Sequence, residues 1–87
     1  MQGPLFMKVK PLNTKLLKYL KRRNLEKKFK RQLAIFEKDY RHPSLHTEIL
    51  EPKYRKVYSF RIDRKYRAIF VIIGGEAEII DINPHYQ

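Results

Sequence analysis

A chain of 87 residues has room for one small domain and little else. Its 20 Lys and Arg against 9 Asp and Glu leave a formal charge of +11, while 43% hydrophobic and 13% aromatic residues are too many for a disordered basic tail. The lack of cysteine excludes disulfides and thiolate metal sites, and no apolar run reaches the roughly 18–20 residues of a membrane span or forms a signal-peptide core.

The expectation is therefore a soluble, cytoplasmic, basic domain spanning 1–87, with residues 1–5 a disordered leader. Nearly all of the excess charge lies in the first half: residues 1–44 carry 13 Lys and Arg against 3 Asp and Glu, residues 45–87 carry 7 against 6. That exceeds the roughly 2–8 charges that solubility asks of a small domain, and points to a polyanion or an acidic protein as partner.

In chain order, residues 6–10 alternate as an edge strand that Pro11 ends. Asn13 or Thr14 then caps a helix with Leu16, Leu17 and Leu20 on one side and Lys15, Lys18, Lys21 and Arg22 mostly on the other. Asn24 reads as a break and a new N-cap. Leu25, Phe29, Leu33 and Phe36 follow the rhythm of an amphipathic helix running to about Lys38, which the residues before Pro43 stop. Three strands are predicted at 56–62, 66–73 and 76–83, with turns at 63–65 and at Gly74-Gly75. Tyr58, Phe60 and Ile62 share a face with Tyr66, Ala68, Phe70 and Ile72, and the helical stripe covers that face. The fold class is α+β: a short N-terminal strand, a basic helical hairpin and a three-stranded antiparallel meander, with the helices on one face.

The uncovered face carries the sharper signal. A three-residue turn at 63–65 sets Arg61 opposite Arg67, and like charges across a ladder destabilise it by a few tenths to about 1 kcal/mol. A bound polyanion reverses that sign; splaying of the two guanidiniums, or neutralisation by Glu78 or Asp81, is the plainer account. In the last strand a two-residue Gly-Gly loop would send Asp81 into the core, so a three-residue loop including Glu76 is expected instead. It places Ile80 and Ile82 inside and Asp81, Asn83 and His85 outside. Arginines for a phosphate and a histidine that titrates near neutrality suit phosphodiester cleavage without a metal. A Gly-rich phosphate loop, zinc-ligand spacing among His42, His46 and His85, and a nucleophile elbow at Ser44 or Ser59 are all lacking.

The order of elements, with the stretches HPSLHTEIL (42–50), YSFRIDRKYRAIF (58–70) and IIDINPHY (79–86), resembles the RelE/ParE superfamily of toxins of type II toxin–antitoxin systems. The final His-Tyr resembles its YoeB-like branch of ribosome-dependent messenger-RNA endonucleases. The resemblance implies metal-independent, cofactor-free cleavage that leaves 2′,3′-cyclic phosphate ends. It gives Arg67 the scissile phosphate, Arg61 a supporting charge on the preceding strand, and His85 and Tyr86 proton transfer and positioning of a nucleotide. The glutamate expected as general base is missing, since the loop reads Pro43-Ser44-Leu45 and Glu48 is out of register, which leaves His85 as the base. Lys53, Arg55 and Lys56 are expected to track the RNA backbone. The implied partners are messenger RNA on the ribosome and a cognate antitoxin whose acidic or amphipathic helix covers the basic surface. The alternatives are a ParE-like inhibitor of DNA gyrase and a non-catalytic nucleic-acid-binding module of the same fold.

Overall fold

The computed structural model describes residues 6–84. The expected leader at 1–5, and the two C-terminal site residues His85 and Tyr86, lie outside the described residues. The chain runs β1 (Lys8–Val9), α1 (Thr14–Arg22), α2 (Glu26–Lys38), β2 (Glu48–Ile49), β3 (Tyr58–Arg61), β4 (Tyr66–Ile73) and β5 (Glu76–Pro84), with single 3₁₀ turns at Pro43–Leu45 and Lys53–Arg55. The meander β3–β4–β5 forms as expected and is widened to five strands in the order β1-β5-β4-β3-β2, with β1 parallel to β5 and the other pairs antiparallel. The strands at 6–10 and 56–62 are shorter than their sequence patterns, and β2 has no pattern long enough to announce it.

Asn13 caps α1, its side chain accepting from the Leu16 amide at 2.8 Å, and Lys21 and Arg22 in the last turn complement the helix dipole. Asn24 does not cap α2. It takes φ +57°, a left-handed conformation that asparagine tolerates, and turns the chain so that Leu25 becomes the N-cap with no side-chain bond. Leu16, Leu20, Leu25, Phe29 and Phe36 from the helices meet Phe60, Ile62, Ala68, Phe70, Ala77, Ile79 and Ile82 from the sheet and its flank. Phe36 is the keystone, stacked on Phe60 at 4.9 Å and edge-on to Phe70 at 5.0 Å. Two residues assigned to the apolar sides are exposed instead: Leu17 on α1, and Ile72 at the end of β4.

Candidate functional site

The outer face of the sheet is organised from its first hairpin. Ile62 N–H donates to the Tyr66 carbonyl at 2.9 Å, and the Asp63 carboxylate accepts from the Lys65 and Tyr66 amides, both at 2.8 Å. Burial pushes the Asp63 carboxyl up, but those two amides and the Lys28 ammonium, 3.1 Å away, outweigh it and hold the group below its usual range. This turn sets Arg61 directly across from Arg67, as its length predicts.

The second hairpin departs from expectation. Gly74 and Gly75, at φ +60° and +79°, form a two-residue turn that pairs Ile73 with Glu76. The conflict this creates for Asp81 is removed by a β-bulge rather than by a longer loop. Phe70 pairs with Ile79, Ile69 pairs with Asp81, and Ile80 is the extra residue. Ile79 and Ile82 therefore point into the core, Ile80 is 44% exposed instead of buried, and Asp81 still faces solvent.

The bulge helps to shape an outer-face groove of about 410 Å³, lined by Glu48, Leu50, Ser59, Arg67, Ile69, Ile80, Asp81, Asn83 and Pro84. Arg67 forms its floor and is only 4% exposed. Its Nε donates to Ser59 Oγ at 2.8 Å, and Nη2 donates to the Ser59 carbonyl at 3.2 Å and to the His46 carbonyl. Its Nη1 lies 4.0 Å from the Glu48 carboxylate, which is half exposed at the groove's edge. Burial lowers the Arg67 pKa; Glu48 opposes this and Arg61 reinforces it. The guanidinium nonetheless stays charged at physiological pH. The acid that meets Arg67 is thus Glu48, from the edge strand, rather than Glu78 or Asp81. Glu78 pairs with Lys10 at 3.4 Å, and Asp81 accepts from the Ile82 amide and the Asn83 side chain.

Gln32 fixes the loop that supplies the His46 carbonyl. Buried on α2, its Nε2 donates to the Ser44 carbonyl at 3.1 Å and the Arg61 carbonyl at 2.8 Å, tying helix, loop and strand together. The structure so sets Arg61 and Arg67 on one face and adds Glu48 and Ser59 to the groove, which Arg61 itself does not line. Lys53, Arg55 and Lys56 are exposed around the turn that precedes β3, and none of them lines the groove. The sequence pattern set Glu48 aside as out of register, weighed Ser59 only as a nucleophile, and gave Gln32 no role at all. The available signals were the alternation that puts Ser59 on the same face as Arg61, and the presence of an amide on the inward stripe between Phe29 and Phe36.

This architecture, two helices on one face of a five-stranded mixed sheet, is the RelE/YoeB-like α+β fold. It superposes on the YoeB dimer structure from Staphylococcus aureus with a TM-score of 0.60 at 21% identity, covering 97% of this chain and all of that one. The YoeB–YefM complex from the same organism gives a TM-score of 0.58, also at 21% identity, with the same coverage. No family model matches the chain. A 43-residue stretch, 49% of this chain, is 40% identical to an uncharacterised protein of Haemophilus influenzae and spans 43% of that relative's length.

Proposed function

We propose that this protein is the toxin of a type II toxin–antitoxin pair and an endonuclease of messenger RNA held on the ribosome. The observation that carries this reading is the Arg67–Glu48 pair at the floor and edge of an open groove, on a sheet with the YoeB-like fold. In the proposed reaction a ribose 2′-oxygen attacks the adjacent phosphorus. The P–O2′ bond forms as the P–O5′ bond breaks, leaving a 2′,3′-cyclic phosphate and a 5′-hydroxyl. Arg67, with Arg61 beside it, stabilises the charge that develops on the phosphoryl oxygens. In place of His85, the base expected from the sequence, this reading gives the 2′-hydroxyl proton to Glu48: it is half exposed and within reach of Arg67, whereas Asp81 is committed to hydrogen bonds along its own strand. His85, two residues after Asn83 in the chain, returns a proton to the 5′-oxygen, and Tyr86 stacks on a base. Lys53, Arg55 and Lys56 hold the RNA backbone away from the groove. An antitoxin, the counterpart of YefM in the S. aureus complex, is the intracellular partner that restrains the activity.

The test is cleavage of a translated messenger RNA by the purified protein, with bacterial ribosomes, followed by end analysis. Arg67→Ala and Glu48→Gln are each expected to slow cleavage by about 10²–10³-fold. Gyrase-linked DNA breaks without RNA cleavage would transfer the reading to a ParE-like inhibitor. Salt-sensitive RNA binding with no cyclic ends would reduce it to a binding module, in which the bonds around Arg67 only brace the sheet.

A further inference from the structure

A second cationic surface lies on α1. Lys15, Lys18, Arg22 and Arg23 are all exposed, and with Tyr19 they line a shallow concavity of about 170 Å³. Lys15, Lys18 and Arg22 stand at i, i+3 and i+7, a stripe about 10 Å long on one helix face. Arg23 is stacked on the Tyr19 ring, its guanidinium carbon 3.8 Å from the centroid, so its fork is already held in place. No acid interrupts the sequence between Lys10 and Glu26, and none lines the concavity.

The patch and the groove lie on opposite sides of the sheet and share no lining residue, and one end of the sheet links them. The Tyr19 ring meets Tyr66 edge-on at 6.3 Å, Tyr66 is the cross-strand partner of Pro84, and Pro84 lines the groove beside Arg67. Lys65, with its ammonium 5.4 Å from the Tyr66 ring, adds a cation along the way. We infer that a single strand of RNA seated in the groove leaves it over Pro84 and Tyr66 and lays successive phosphates on Lys15, Lys18, Arg22 and Arg23. The inference rests on the groove taking RNA, as proposed above, but does not need it to be cut. RNA is favoured over an acidic protein because the concavity is walled by the aliphatic stems of cations and one ring already occupied by Arg23. Among the described residues it offers no apolar anchor pocket of the kind that concentrates protein–protein binding energy.

The experiment measures binding of a fluorescent 14-nucleotide 2′-O-methyl oligouridylate, which cannot be cleaved, across 50–200 mM salt. Three proteins are compared: the wild type, the patch variant K15Q/K18Q/R22Q/R23Q, and a charge-matched control, K27Q/K30Q/R31Q/K38Q, on exposed positions of α2. Each phosphate contact on a single strand contributes about 0.7 to the log–log salt slope, so the patch variant loses about 2.8. Over that fourfold salt range the wild type then loses about fifty times more affinity than the variant. The control keeps a slope within about one of the wild type, and the titration closes at one RNA per protein. Equal losses in patch and control, or two RNAs per protein, would overturn the continuous track. So would a polyglutamate peptide displacing the RNA at equal charge concentration. The two readings fail separately: a slope difference without ribosomal cleavage leaves the track standing and removes the nuclease, and cleavage without a slope difference does the reverse.

Discussion

Replacing Gln32 with leucine isolates what the interior of the fold contributes to the site. The side chain is 8% exposed and its amide donates to two backbone carbonyls, Ser44 at 3.1 Å and Arg61 at 2.8 Å. Each such bond is worth about 0.5–1.5 kcal/mol net, and a buried carbonyl left unpaired costs about 1–3 kcal/mol. The leucine returns part of this through apolar burial, at about 0.8 kcal/mol per added buried CH₂ equivalent. A net loss of about 2 kcal/mol follows, or roughly 8–16 °C in Tm for a domain of this size. Thermal melts and urea titration measure it, with the urea slope unchanged because the surface exposed on unfolding is the same. Hydrogen exchange supplies a local readout. The Leu45 and His46 amides, bonded to the His42 and Pro43 carbonyls, should exchange faster relative to α2 amides, because their loop has lost its tie to the helix. A leucine variant that melts within about 2 °C of the wild type, with that loop still protected, would refute the clamp.

Asp63→Ala removes two amide bonds and the Lys28 ion pair from the first turn, and is expected to destabilise the protein by about 1–2 kcal/mol at pH 7. The folded protein binds the Asp63 proton less tightly than the unfolded chain does. The contribution is therefore complete above the unfolded carboxyl value of about 3.9 and is lost as the pH falls through the lower folded value, so in urea titrations the gap between wild type and variant should narrow progressively as the pH is taken below about 3.9. Gly74→Ala meets no atom within 4 Å of the new Cβ, so the expected loss of about 1–2 kcal/mol comes from the φ of +60° alone. A calorimetric melt unchanged by this substitution would mean that the turn relaxes to another type.

The residues themselves dictated the helices, the meander and the Arg61–Arg67 juxtaposition, because periodicity and turn length act locally. Leu16, Leu20, Phe29 and Phe36 recur at helical spacing, and a three-residue turn at 63–65 leaves one pairing for the strands beside it. The second hairpin shows where local reasoning stops. The alternation in β5 is compatible with two registers, and the bulge at Ile80 combines the short glycine turn of one with the outward Asp81 of the other. Its placement depends on how the sheet packs against the helices. Tertiary structure alone also decided the company of Arg67. Glu48 lies on a two-residue strand with too little pattern to be read, and it reaches the arginine only because β2 pairs with β3 at Ser59. Edge pairing of this kind joins residues distant in sequence, so its register is set by the folded sheet and not by either segment in isolation.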